Sequence, residues 1–312
     1  MTIKSRTESA AIKITQIDAA LGAVVECGDV RNRDQAARAA LHQAWLDNIV
    51  LVIRGQSLDR KALLDLTSVF GQPTVAAVAP SQGIYQDVAI VSNIMQDGKP
   101  IGVLGSGEVV WHTDHSFQES PLAAALLYAV EIPPTGGDTY FSNMYLALDT
   151  LPQGLRRRIQ GLTIKNDGTY NSAGERRTND DITDVRVSPG VSHPIVRTHP
   201  ETGQECLYLG RRPYAYVNGL SLEESEGLLN QLWAHATQDS LTWAHRWQVG
   251  DVLVWDNRCA MHRRGDFDPS TRRLMHRGQC VGERPIFDTV SASRGSHQRG
   301  HVRVSEALEG AR

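Results

Sequence analysis

The 312-residue chain is poor in several features that would each have fixed its chemistry early. Its four cysteines, Cys27, Cys206, Cys259 and Cys280, are scattered and form no CxxC pair, so neither a disulfide framework nor a thiolate zinc site is indicated. No run approaches the roughly eighteen apolar residues of a membrane span. The start, MTIKSRTESAAIKI, is polar and lacks the apolar centre of a secretory leader. Charge of one sign is missing too: 32 Lys and Arg against 35 Asp and Glu leave a formal net charge of -3, without the basic field that nucleic acid or an anionic membrane would require. There is no GxxxxGK(S/T) loop, no GxGxxG after a strand and no GxSxG elbow, and GVLGSGE has the wrong spacing for each, which argues against hydride transfer from a Rossmann-bound nucleotide. These absences predict a cytoplasmic protein whose partners are small molecules or copies of itself. Any metal chemistry in it must rest on His, Asp and Glu.

What is present fits one large core. At 41% hydrophobic, with no repeat of solenoid period and no low-complexity linker, residues 1–312 read as a single domain. GAVVECGDV reads as a strand, residues 34–46 have helical apolar spacing, NIVLVIRGQ reads as a buried strand, and LDRKALLDLTSVFG reads as a helix stopped by Gly71 and Pro73. From VAIVSN onward, short β-rich runs alternate with turn residues: GEVVWHTD, AALLYAVEI, GLTIKND, HPIVRTHP, ECLYLG, DVLVWDN and RRLMHRGQCV. Helical interruptions are expected at about 142–160 and 221–237, the second opened by a Ser-x-x-Glu capping box. The pattern is mainly β with peripheral helices, a sandwich or jelly roll and not an alternating βαβ fold. The tail from about 288 is expected to be loose or to pack on another copy.

Within this pattern VWHTDHSF concentrates His112, Asp114 and His115. Alternate residues of a strand share a face, so His112 and Asp114 are expected to point together and His115 away from them. Two histidines and a carboxylate on one side of an ion form the facial arrangement of non-haem Fe(II) oxygenases, which would need one more imidazole from elsewhere. An isolated His-x-Asp is weak, because Asp114 could merely orient an imidazole. A second cluster, GDVLVWDNRCAMHRRGDFDPSTRRLMHRGQC, offers His262 after an apolar strand, then Arg273 and Arg277, four apart and hence on one strand face. Two guanidiniums on a core strand suit a pocket for organic anions, whereas either alone would read as a surface ion pair.

Taken together, WHTDHSF, PPTGGDTYFSNM, WDNRCAMHR and RRLMHR resemble the TauD/TfdA family of Fe(II)- and 2-oxoglutarate-dependent dioxygenases, in order and over about residues 15–285. The resemblance implies a double-stranded β-helix core and iron ligands His112, Asp114 and His262. It implies that Thr139 and Arg273 bind the distal carboxylate of 2-oxoglutarate, and that Arg277 binds the acidic group of a small anionic substrate. It further implies O2 as cosubstrate, release of succinate and CO2, and hydroxylation of a small organic acid, followed in some cases by C–O, C–N or C–S cleavage. Retention of Asp114, which halogenating relatives replace with a small residue, implies oxygenation. The resemblance also implies a lid near 167–190 and a homo-oligomer, dimer or tetramer.

Substrate contacts are less well marked. TVAAVAPSQGIY lacks the histidine that taurine-type members carry there, which argues against taurine. Glu108 shares the His112 strand face by alternation, as a pocket carboxylate or an exposed strand-edge charge; His115 and Tyr170 are further candidates for substrate contact. Trp111, Trp233, Trp247 and Trp255 read as core, and His199 and His276 as structural. The competing readings are a zinc hydrolase using the same three ligands and a non-catalytic carboxylate-binding β-sandwich. Neither accounts for Thr139 and Arg273 together with a complete ligand set.

Overall fold

The computed structural model describes residues 12–79, 84–106, 109–177, 179, 182 and 184–287. The tail from 288 therefore lies outside the described residues. Two sheets form the frame, and their strands in chain order are β1 (Lys13–Gln16), β2 (Ala23–Glu26), β3 (Val50–Ile53), β4 (Ala89–Ser92), β5 (Val103–Leu104), β6 (Val109–His112), β7 (Ala124–Glu131), β8 (Thr139–Asn143), β9 (Thr242–His245), β10 (Val252–Asp256), β11 (Ala260–Arg264) and β12 (Leu274–Gln279). The larger sheet has the order β1-β2-β3-β10-β7-β12-β4-β5 and the smaller the order β6-β11-β8-β9. Most neighbours are antiparallel, with β2–β3 and β4–β5 as parallel pairs. The fold is the mainly β jelly roll expected from the sequence.

The central strands of the larger sheet are apolar without a break because both faces are covered. On β10, Val252 and Val254 face a layer of helices, while Leu253 and Trp255 face the smaller sheet. On β7 the alternation is Leu126 and Tyr128 outward to the helices, Ala125, Leu127 and Ala129 inward. The helix layer is α1 (Gln35–Asn48) and α2 (Arg60–Thr67), which bury Leu41, Trp45, Leu63 and Leu66 against that outer face. Each such buried side chain contributes about 1.5–3 kcal/mol, so this double layer fixes the register of the strands that carry the site. Both helices begin where an aspartate can cap them: Asp34 accepts from the Ala37 amide at 2.8 Å and Asp59 from the Ala62 amide at 2.7 Å.

The helices expected at 142–160 are two, α3 (Met144–Asp149) and α4 (Gln153–Arg158), broken at Leu151-Pro152 because proline has no amide to continue the ladder. The next helix, α5 (Leu222–Ala236), has both halves of the Ser221/Glu224 capping box. The smaller sheet was the less legible: β8, β9 and β11 were not expected as strands. Their sequences, TYFSN, TWAH and AMHRR, are short and rich in polar or ring-bearing residues. That composition follows from their position, since the face they turn inward lines a polar site and not only a core.

Candidate metal centre

β6 and β11 are antiparallel neighbours, and His112 and His262 are direct register partners. Their rings lie 4.2 Å apart, centroid to centroid. Asp114 completes the group: its Oδ1 is 3.4 Å from His112 Nε2 and its Oδ2 is 3.7 Å from His262 Nε2. One donor atom from each residue falls within 4.8 Å of the others, and all three side chains are buried. This spacing suits a single ion of the two-histidine, one-carboxylate type.

The local chain explains the convergence differently from the strand argument. β6 ends at His112, and Asp114 to Phe117 form a turn with His115 at φ 55°. Asp114 therefore reaches the histidines by a turn and not by alternation. Asn257 clamps it there, accepting from the Asp114 amide at 2.8 Å and donating to its carbonyl at 3.0 Å, with a further bond to the Leu122 carbonyl at 2.8 Å. Asn257 stood inside the quoted WDN run, but nothing in its spacing revealed this part. His112 Nδ1 donates to the Val110 carbonyl at 2.7 Å, which leaves the Nε2 lone pair pointing at the centre. His262 is instead set by packing, with Trp255 at 4.8 Å and Phe141 at 6.1 Å between centroids.

Electrostatics keep the trio ready for a cation. Burial alone would raise the Asp114 carboxyl, but Arg277, His262 and His112 outweigh it and hold it well below its ordinary value. Burial, helped by His112 and Arg277, pushes His262 well below the ordinary imidazole range despite the pull of Asp114, so its ring is neutral at physiological pH.

Arg277 is partly engaged within the site. Its Nη2 pairs with Asp114 Oδ2, and its guanidinium lies 5.5 Å from the Trp255 ring. Arg273 and Arg277 do share the inward face of β12 and its approach, flanking buried Met275, while His276 faces Tyr128 on the other side. Arg273 is fully buried, with its guanidinium carbon 6.0 Å from the centre of the Phe267 ring. Its Nε has no hydrogen-bond partner. Burial and the neighbouring Arg264 push its pKa down to about 9. A buried cation without a carboxylate is costly, so the cradle fits an anionic ligand.

Thr139 opens β8 after the Gly136-Gly137 turn, where both glycines have positive φ. A Cβ on Gly136 would come within 2.7 Å of the Asp266 carbonyl, and one on Gly137 within 3.4 Å of Arg273 Nε. The paired glycines of GGDT thus let the turn close over the arginine. Trp247 Nε1 donates to Thr139 Oγ1 at 3.1 Å, which leaves the hydroxyl proton of Thr139 to donate elsewhere. Trp247, read as core, is buried and has this second task.

The His115 ring lies 5.8 Å from that of Phe117, and burial lowers its pKa to about 4 against the pull of Asp114. Tyr170 stacks on Tyr214 at 4.9 Å and is tied to the centre through Arg211, which donates to its carbonyl and bridges to His112 in the backbone. Glu108 lies outside the described residues, as do residues 80–83 of the segment without the taurine-type histidine.

A second potential donor group, His199, Asp256 and Cys259, is a closed hydrogen-bond knot. Asp256 is forked by Arg258 at 2.8 and 2.7 Å and accepts from His199 Nε2 at 3.0 Å, while His199 Nδ1 accepts the Glu201 and Thr202 amides. His199 is structural, as expected.

The chain is similar to known proteins over most of its length. The family model described as taurine catabolism dioxygenase TauD, TfdA family matches residues 13–279. The alpha-ketoglutarate-dependent 2,4-dichlorophenoxyacetate dioxygenase of Burkholderia sp. (strain RASC) is 34% identical over 246 residues, 75% of this chain and 82% of that one. The (S)-phenoxypropionate/alpha-ketoglutarate-dioxygenase of Sphingobium herbicidovorans is 30% identical over 300 residues, 91% of this chain and 99% of that one. The crystal structure of AAD-2 in complex with Mn(II) and N-oxalylglycine superposes with a TM-score of 0.73 at 28% identity, covering 88% of this chain and 99% of that one.

Proposed function

The chain belongs to the TauD/TfdA family of Fe(II)- and 2-oxoglutarate-dependent dioxygenases, and from that premise we propose that His112, Asp114 and His262 hold its iron while Arg273 and Thr139 hold the distal carboxylate of 2-oxoglutarate. The observation that carries the assignment is the convergence of the three donors within 4.8 Å beside a buried guanidinium that lacks an anion. Neither a zinc hydrolase nor a non-catalytic binding sandwich finds support in the family match.

When bound, Fe(II) supplies the activation of O2 that couples decarboxylation of 2-oxoglutarate, to succinate and CO2, to oxidation of the substrate. The protein's part is positioning. Arg273 presents a planar fork and Thr139 a hydroxyl whose lone pair is already used by Trp247, so both donate toward one carboxylate. Arg277 holds one Asp114 oxygen and leaves the other facing His112. The bracing of Asp114 by Asn257 and of His112 by its own strand carbonyl fixes the donors before a metal arrives. Burial of all three keeps bulk water away.

The substrate is a small organic acid that is oxygenated, by analogy with the aryloxyacid relatives, and a hydroxylated carbon bearing O, N or S would then fragment. Arg277 remains a partner for the acid through the nitrogens not given to Asp114. We extend the reading to a cytoplasmic homo-oligomer by the same analogy; among the described residues no helix is long and apolar enough to cross a membrane. Light scattering of the purified chain tests the assembly state. The assignment itself is tested by supplying Fe(II), 2-oxoglutarate and O2 and measuring succinate. The wild type forms succinate even without a primary substrate, and His262→Ala forms none; an undiminished yield from His262→Ala refutes the ligand set.

A further inference from the structure

Arg277 gives one nitrogen to Asp114, so the acid of a substrate would draw on only part of its fork and gains from a second cation. The segment between β8 and β9 provides one. Arg177 follows Arg176, which bridges to Tyr170, and the Arg177 amide donates to the Thr169 carbonyl at 2.6 Å, so its backbone is pinned at both sides. Its guanidinium carbon lies over the Phe117 ring, 4.3 Å from the centroid, and the Phe117 ring lies 5.8 Å from that of His115 in the turn that carries Asp114. The residue is open to solvent on one side, yet the crowding around its head lowers its pKa in spite of the pull of Asp114 and Asp167. Among the described residues, no carboxylate or carbonyl accepts from its side chain.

We propose that Arg177 is a specificity-determining residue, a second guanidinium that receives the acidic group of the substrate beside the turn that carries Asp114. The inference rests on the dioxygenase reading above and deepens it. The guanidinium of Arg211 lies within repelling reach of Arg177, and an anion received by Arg177 relieves that repulsion while taking a charge-assisted hydrogen bond. The Phe117 ring beneath Arg177 adds an apolar floor, so the favoured ligand is an acid on an apolar body, not a polyanion or a small polar acid.

The test uses the full chain loaded without oxygen with Fe(II) and 2-oxoglutarate, titrated calorimetrically with phenoxyacetate, phenoxymethanesulfonate and the neutral twin phenoxyacetamide. Arg177→Gln is expected to weaken both acids by roughly tenfold to a hundredfold, the scale of one hydrogen bond to a charged group. The amide is expected to bind both forms alike, the affinity for 2-oxoglutarate to stay unchanged, and Arg177→Lys to recover part of the loss. Equal affinity of wild type and Arg177→Gln for the acids overturns the proposal, as does a like loss for acid and amide, or failure of the wild type to bind either acid. Succinate formation without substrate is scored separately, so the dioxygenase reading stands or falls on its own result.

Discussion

Replacing Arg273 by methionine should make the protein without cosubstrate more stable and the protein with it less responsive. Arg273 bears the full cost of burial with little compensation: its pKa falls from the ordinary guanidinium range to about 9 through burial and through Arg264. The sign is that of a base whose folded pKa is depressed. The folded state disfavours the charged form, so at every pH below about 9 the residue destabilises the fold, and the penalty fades only as pH rises from about 9 toward the ordinary guanidinium value. A shift of this size corresponds to a few kcal/mol, at about 1.4 kcal/mol per pKa unit. Methionine keeps much of the volume without the charge, so Arg273→Met is expected to raise the melting temperature of the apoprotein by several degrees, at roughly 2 °C per kcal/mol for a chain of this length. Wild type should gain stability as 2-oxoglutarate is titrated in and the variant should not, while the KM for 2-oxoglutarate rises by about a hundredfold, the cost of losing one partner of a buried charge pair. Differential scanning calorimetry with and without 2-oxoglutarate, beside succinate assays over a range of its concentrations, reads both effects. The reasoning fails if Arg273→Met melts lower, as an ordinary core substitution would, and still responds to 2-oxoglutarate at the wild-type concentration.

Three further outcomes follow from the same geometry. Asn257→Ala removes the clamp on the Asp114 backbone and should weaken Fe(II) binding about tenfold to a hundredfold, measured by competition with a chelator, without abolishing folding. Trp247→Phe keeps the ring but loses the donor to Thr139, and should raise the KM for 2-oxoglutarate about fivefold, near 1 kcal/mol, with kcat little changed. His115, His193, His245, His262 and His276 all have pKa values lowered mainly by burial, whereas His42 is raised, chiefly by Glu201. The unfolded chain therefore takes up protons below pH 6.5 that the fold resists, and the apoprotein's melting temperature should fall between pH 7 and pH 4; His276→Gln, away from the metal centre, should flatten that slope, and an unchanged slope would count against the burial argument.

How far the sequence could be read depended on what each residue answers to. The central strands VLVI and VLVWD were legible because both faces are buried, so every position shows its apolar character. The helix starts were legible because caps are local: Asp34, Asp59 and Ser221 each bond an amide three residues on. TYFSN, TWAH and AMHRR were missed as strands because the site they line overrides their local preference.

The sequence by itself determined the family and the mainly β architecture and named the three candidate donors, because those rest on residue types at fixed separations in a run of quoted motifs. It also placed Arg273 and Arg277 on one face, since β12 alternates with period two. Tertiary structure alone decided which atoms meet. Asp114 reaches the histidines through a turn that an Asn257 side chain, 143 residues later, holds in place. Arg277 spends its charge on Asp114, Trp247 reaches across to Thr139, and Arg177 settles over Phe117. None of these pairings lies on one element, and a contact between distant elements depends on packing that no local pattern encodes.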